Sequence, residues 1–371
     1  MKAIQKIFHQ FYDRYKQEYN VCREQKKVAG SILKCRTASL GFNSYRCDEC
    51  GHTDIHYNSC RNRHCPCCQA IEKEIWADKR LENTINTPYF HLVFTIPEQL
   101  RMIVYNNRRL LYSLMYESVR HTLLKASSNK KYLGAQIGFF SILHTWSNDL
   151  RFHPHIHCVV MAGGLTKTNN WLQSSKKFFI PVRVLSKLFQ GFFLSKLKSY
   201  YNNDQLRLDP GGLSNILDIC YSLKWYVYSG KTFSNQSALV GYLSRYTHRI
   251  AISNYRIISI DRDTVTISVR KNEKGLSSVT MKGVEFVRRF LMHVLPRGFI
   301  KIRSYGLLSN RNIKTKLALC RRLTSSRIYH SRFADLSRID VLCCILERNI
   351  RLCSVCRSGN MVKVSTCAGS T

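Results

Sequence analysis

The stretch Leu143-His144-Thr-Trp-Ser-Asn-Asp-Leu-Arg-Phe-His153-Pro-His155-Ile-His157-Cys-Val-Val160 decides how this chain is read. On a β-strand, residues two apart share a face, so His155 and His157 project together while Ile156 turns away. If the chain reverses near Asp149 and Leu150, His144 on the preceding strand lies nearly opposite His155 and His157. Cross-strand neighbours stand about 5 Å apart. Three imidazoles then converge on one point and leave coordination positions open, as a catalytic metal site requires and a closed structural site does not. His153 shares the odd-numbered register but precedes Pro154 near the turn, which makes it the spare. The ion expected in use is Mg²⁺ or Mn²⁺, although imidazoles alone would also suit Zn²⁺.

Outward from this hairpin, the periodicity alternates between strand and helix. Tyr89 to Ile96 reads as a strand between two prolines, residues 105 to 126 as an amphipathic helix, and 181 to 203 as another helix. Ser222 to Tyr228 reads as a strand, about Ser237 to His248 as a helix, and Arg256 to Ile260 with Thr264 to Arg270 as a hairpin around Asp261-Arg-Asp263. A further helix is expected from about Lys282 to Val294, stopping before Pro296. Strands separated by helices, with hairpins among them, predict an α+β domain over about 88 to 270. The division expected is a helical N-terminal segment over 1–40, a zinc-binding domain over 41–85, a catalytic domain over 86–272 and a basic helical DNA-binding region over 273–371.

Of 371 residues, 58 are Lys or Arg and 23 are Asp or Glu, a formal charge of +35, and 16 are Cys. Such a charge calls for a polyanionic partner or a membrane surface. The apolar runs fall far short of the roughly 20 residues that cross a bilayer, and no signal-like apolar segment follows Met1. The cysteines are therefore expected as metal ligands and reduced thiols in an intracellular protein. Cys47-Asp-Glu-Cys50 and Cys65-Pro-Cys-Cys68 are two CxxC units, and the spacing predicts one closed structural zinc site of Cys47, Cys50, Cys65 and Cys68. Cys60 and His64 are alternates, and Gly51 supplies a permissive backbone after the first pair. Cys353-Ser-Val-Cys356 stands without a clean second pair, with Cys343, Cys344 and Cys367 nearby, and is either a second zinc site or a worn tail. From Phe286 to Ala334 there are 12 Lys or Arg and no acid, with Phe299, Tyr305 and Tyr329 available to stack bases, a composition that suits single-stranded nucleic acid.

Tyr242-Leu-Ser-Arg245-Tyr246-Thr-His-Arg249 places two phenols one helical turn apart, each followed three residues on by an arginine. A phenol attacks poorly at neutral pH unless a cation, metal or base helps remove its proton. Beside a metal-bound phosphate on a basic helix, Tyr242 or Tyr246 meets that need, assisted by Arg245 and Arg249.

At this point the sequence resembles a known family, the rolling-circle insertion-sequence transposases of the HUH endonuclease class. The resemblance runs in order through Cys35-Arg-Thr-Ala38, Tyr45 to Cys47, Cys60 to Gln69, His91-Leu-Val-Phe-Thr-Ile-Pro97 and Leu143 to Trp146. It continues through His153 to Cys158, Tyr242 to Asn254, Phe290 to Pro296 and Tyr305 to Leu308. It implies a HUH-type antiparallel sheet flanked by helices, with a small zinc-binding domain before it. It implies a metal-dependent nickase and strand transferase acting on single-stranded DNA at element ends and on target DNA. His155 and His157 match the HUH pair, His144 matches a third histidine of related relaxases, and Tyr242 and Tyr246 match the two-tyrosine motif. The cofactors implied are structural Zn and catalytic Mg or Mn, with no nucleotide cofactor. The expected location is the nucleoid of a bacterial cytoplasm, and the oligomeric state is open. Two alternatives remain: a plasmid replication initiator or relaxase of the same class, and an inactive zinc-dependent DNA-binding protein.

Overall fold

Strand alternation builds the central sheet. In β3 (Tyr89–Thr95), β4 (Gly138–Trp146) and β5 (Phe152–Met161), the side chains of Phe90, Leu92, Phe94, Phe139, Leu143, Ile156, Cys158 and Val160 all enter one core. The computed structural model describes residues 1–174, 180–208, 212–233, 239, 251–270 and 275–369. The sheet order is β12-β4-β5-β3-β8, with β8 at Tyr226–Phe233 and β12 at Ile302–Gly306, and every pairing is antiparallel. Helices α5 (Arg108–Ser128), α6 (Val182–Asn202) and α7 (Gly212–Ser222) contribute to the core on that face, where Phe189 meets Phe94 edge-on at 5.3 Å. The short α4 (Arg101–Asn106) leads into α5, and β6 (Gly163–Leu165) with β7 (Trp171–Gln173) forms a small hairpin after β5.

A third core lies on one end of the opposite face. There Phe140, Ile142, Val159 and Met161 pack with Leu307, Leu308, Leu317 and Cys320 from the chain after β12 and from α9 (Ala318–Leu323). The other end of that face carries the histidines.

A second core joins the N-terminal helices to the late part of the chain. Ile4, Ile7, Phe8, Phe11 and Tyr15 form the buried stripe of α1 (Ala3–Glu18) and pack with α2 (Arg23–Lys34) and α8 (Gly283–Met292). Phe8 meets Phe290 edge-on at 5.3 Å. Gly283 opens α8 because a Cβ there would lie 2.4 Å from the Phe11 ring. The sheet β11-β10-β9 (Leu276–Lys282, Thr264–Arg270, Ile257–Ile260) completes this core.

The expected α+β class, an antiparallel sheet with flanking helices, is what the chain adopts. The stretches expected as separate domains at 41–85 and 273–371 are joined by strand pairing. β1 (Gly41–Cys47) pairs with β2 (Thr53–Tyr57) on one side and with β13 (Met361–Ala368) on the other, so the two ends of the chain share one sheet. A two-stranded hairpin is marginal alone, and the tail supplies its third strand. The stretch expected as a basic helical region instead provides β11, β12 and β13 beside α8, α9 and α10 (Arg338–Leu346). The strand expected over Ser222 to Tyr228 begins only at Tyr226, after α7. No helix among the described residues is long and apolar enough to cross a membrane. Tyr242, Arg245, Tyr246 and Arg249 lie outside the described residues, as does their expected helix apart from Leu239.

Candidate metal centres

The hairpin reverses where expected. Ser147 N–H donates to Arg151 O at 3.0 Å, and Leu150 takes φ 65° with its side chain fully buried in the second core. His293, just past α8, clamps the turn: its Nε2–H donates to Leu150 O at 3.0 Å, and its Nδ1 accepts from Thr145 Oγ1 at 3.1 Å. Arg289 donates to Asp149 O at 2.9 Å.

His144 and His155 are then direct register partners, and the ligand atoms of His144, His155 and His157 lie within 4.8 Å of one another. His155 Nδ1–H donates to His153 O at 2.6 Å, which leaves its Nε2 for an ion. The spare His153 thus contributes its carbonyl and stays outside the trio. His157 Nδ1 pairs with His91 Nε2 at 2.9 Å, the rings nearly parallel. Burial holds His155 and His91 down at about 4 and His157 well below its ordinary range. Neutral imidazole is the ligating form.

Sequence reasoning left out His91 as a site residue, although it stands in the matched motif and in the odd register of β3 that faces His157. It also left out Lys301. That ammonium lies 5.0 Å over the Trp146 ring, which stacks on His144 at 4.7 Å. Burial, and after it the Arg63 charge, pull Lys301 down to about 7.

Thr95 pairs with both His155 and Tyr226, and Val93 with both His157 and Tyr228. The exposed Tyr226 and Tyr228 rings therefore stand two strands across from the histidines on the same face. Of the residues expected to stack bases, Phe299 is buried against Tyr112, Tyr305 packs on Phe139, and the Tyr329 hydroxyl donates to Asp78 Oδ1 at 2.6 Å.

The cysteines group differently from the expected Cys47, Cys50, Cys65, Cys68 set. Cys35, Cys60, Cys65 and Cys68 form one cluster, and Cys47, Cys50, Cys353 and Cys356 form another. Of the two alternates, Cys60 joins the first cluster. His64 does not: its Nε2 accepts from Leu295 N–H at 3.1 Å. Each CxxC turn does bring two thiols together, but its partner turn comes from elsewhere. Cys35 arrives at the end of α2, and the tail brings Cys353 and Cys356 beside β1. The sulfurs approach to between 3.5 and 3.7 Å, as in Cys35–Cys68 and Cys50–Cys353. That is far too long for a disulfide, and it fits the roughly 3.8 Å edge of a tetrahedron with Zn–S bonds near 2.3 Å. Gly51 takes φ 68°, as its place after the first pair requires.

His64 and His293 make stability pH-dependent. Burial holds His64 at about 3 and His293 at about 4, against 6.5 for exposed imidazole. The unfolded chain binds these protons first, so the stabilisation is intact above pH 6.5 and is lost as pH falls toward 4. Each site can contribute about 3 kcal/mol across that window. A melting series from pH 7 to pH 4.5 should show Tm falling on acidification, and His293→Gln should flatten the fall while lowering Tm at pH 7. An unchanged Tm over this range would contradict the burial of these groups.

The family comparison agrees with this layout. Residues 7–96 match the transposase zinc-binding domain, and residues 138–316 match the putative transposase family. A putative transposase y4qJ of Sinorhizobium fredii is 36% identical over 98% of this chain and 95% of its own length. The transposase for insertion sequence element IS801 of Pseudomonas savastanoi pv. phaseolicola is 28% identical over 76% of this chain and 69% of its own length. The chain belongs to the rolling-circle insertion-sequence transposases that carry an N-terminal zinc-binding domain. Among solved structures, the conjugative relaxase TrwC in complex with oriT DNA overlaps 42% of this chain and 68% of its own, at 14% identity and a TM-score of 0.25.

Proposed function

We propose that this transposase nicks single-stranded DNA at the ends of its element through a 5′-phosphotyrosine and transfers the strand to target DNA. The observation that carries the reading is the convergence of His144, His155 and His157 within 4.8 Å on one face of the central sheet. A divalent ion such as Mg²⁺ or Mn²⁺ held there would polarise a phosphate oxygen and draw charge from the scissile phosphorus. His91 and the His153 carbonyl set the ring orientations that such binding needs. Lys301, over the Trp146 ring that stacks on His144, would add positive charge in its protonated form, where charge grows on the attacked phosphate.

Tyr242 or Tyr246 then attacks phosphorus. The Tyr O–P bond forms as the P–O3′ bond breaks, and the released 3′ oxygen takes a proton. Arg245 and Arg249 stabilise the phenolate before attack. The retained phosphodiester energy lets a 3′-hydroxyl reverse the step at a target. The two thiol clusters hold structural zinc and keep the ends of the chain folded against the catalytic sheet. The protein's own positive charge, and exposed Tyr226 and Tyr228 beside the site, suit a single strand whose bases can stack.

Incubation with a labelled single-stranded element end and Mn²⁺ should give a protein–DNA adduct stable to denaturant. Tyr242→Phe/Tyr246→Phe should abolish the adduct and the cleavage together. Cleavage that survives in the double variant would contradict the reading.

A further inference from the structure

The knuckle of the first thiol cluster forms one wall of a hollow of about 680 Å³, whose other walls are α2 and the loop after α8. Arg23, Lys27, Arg61, Arg63 and Arg297 line it, with Glu24 the one acid among its lining residues. None of these five cations belongs to an ion pair among the described residues. Val28, Leu295 and Pro296 give it an apolar lining. A cationic rim over an apolar lining matches a nucleotide, with phosphates outside and base or sugar within, and the volume lies in the range of small-ligand sites.

The walls are fixed in place. Cys60 belongs to the thiol cluster, and the next residue, Arg61, holds φ 50°. Arg63 donates to Phe299 O at 2.8 Å, His64 accepts from Leu295 N–H, and Arg108 donates to Val294 O at 3.2 Å.

We propose that this hollow is a DNA subsite that receives one unstacked nucleotide of the single strand, its flanking phosphates held by Arg23, Lys27 and Arg297. The proposal rests on the single-stranded DNA reading given above but not on cleavage. An open single strand can splay one base without breaking pairs, and an apolar pocket rimmed by arginines rewards that.

The test measures binding of a fluorescent dT20 oligonucleotide to the full zinc-loaded chain over a salt series with no Mn²⁺ added, so that a failure of nicking chemistry leaves the result readable. Arg23→Gln/Lys27→Gln should weaken binding about tenfold and lower the salt slope by about 1.4, the share of two phosphate contacts to a single strand. Arg183→Gln/Lys187→Gln, on exposed α6 positions away from the hollow, should stay within twofold of wild type. Zinc content and melting temperature, measured on each variant, check the fold. If the first pair does not fold, Arg297→Gln alone should lower the slope by about 0.7. Removing the structural zinc with a chelator should weaken binding as well, because the Cys60–His64 wall is lost. Equal losses in both double variants, or no loss in the hollow variants, would overturn the subsite. So would free dTMP binding as tightly as dT20, because the occupant would then be a mononucleotide and not a strand.

Discussion

Replacing His155 with alanine should lower Mn²⁺-dependent nicking by about a thousandfold or more while leaving DNA binding intact. His155 is paired in register with His144 and shares a face with His157, so its loss leaves two imidazoles and a weakened ion site. A thousandfold corresponds to about 4 kcal/mol of transition-state stabilisation, within reach of a single Lewis-acid contact. The neighbouring variants separate ligation from mere presence of histidine. His153→Ala should cost little, because His153 supplies a carbonyl that alanine retains. His91→Phe should weaken metal binding by about 10- to 100-fold, the usual loss when a ligand's orienting partner goes, and excess Mn²⁺ should restore rate. Rates measured across Mn²⁺ concentrations distinguish the three. Full activity in His155→Ala would remove the metal site from the account.

Changing Cys353 and Cys356 to serine should halve the zinc bound, from two ions per chain to one. Zinc bound in such sites is worth on the order of 10 kcal/mol of folding energy, so the β13-β1-β2 sheet should open and the tail become sensitive to protease. The Cys35, Cys60, Cys65, Cys68 centre should keep its ion, because it is built into the second core with α1 and α8. The contrasting grouping of Cys47, Cys50, Cys65 and Cys68 predicts no change in zinc content from altering the tail. Metal analysis of the two proteins decides between them, and an unchanged stoichiometry would contradict the clusters described here.

That contrast shows what spacing can and cannot reveal. The hairpin and its three histidines were legible because strand alternation and one reversal are local, and their register follows from the pleat. A CxxC unit is equally local, and each turn did bring its two thiols together. Which turns share an ion is a tertiary fact: Cys47 meets Cys356 across 309 residues of sequence. β13 was illegible for a related reason. Its side chains are largely exposed, and the alternation Val362-Lys363-Val364-Ser365 is short and faces no core. β12 is a short edge strand in the basic stretch, half-buried throughout, and its charge pattern suggested a surface rather than a sheet. His91 could be read only after β3 was paired with β5, since a single strand histidine has no partner in its own segment. α7 was missed where a strand was expected to begin, and the Gln190 amide donates to the carbonyls of Cys220, Tyr221 and Leu223 at its end. The base-stacking residues chosen from the basic stretch turned out to serve packing and a buried Asp78. The aromatic rings exposed beside the histidines are Tyr226 and Tyr228, on a strand chosen for its sheet propensity alone.

The central claim is that a tyrosine of this chain becomes joined to DNA with the ion held by three histidines. The most direct measurement is a peptide map of the Mn²⁺-dependent adduct by mass spectrometry after nuclease trimming. The account predicts a 5′-nucleotide mass on the peptide containing Tyr242 and Tyr246, absent without Mn²⁺ and absent in His155→Ala. Cleaved DNA with unmodified tyrosines at both positions would contradict it.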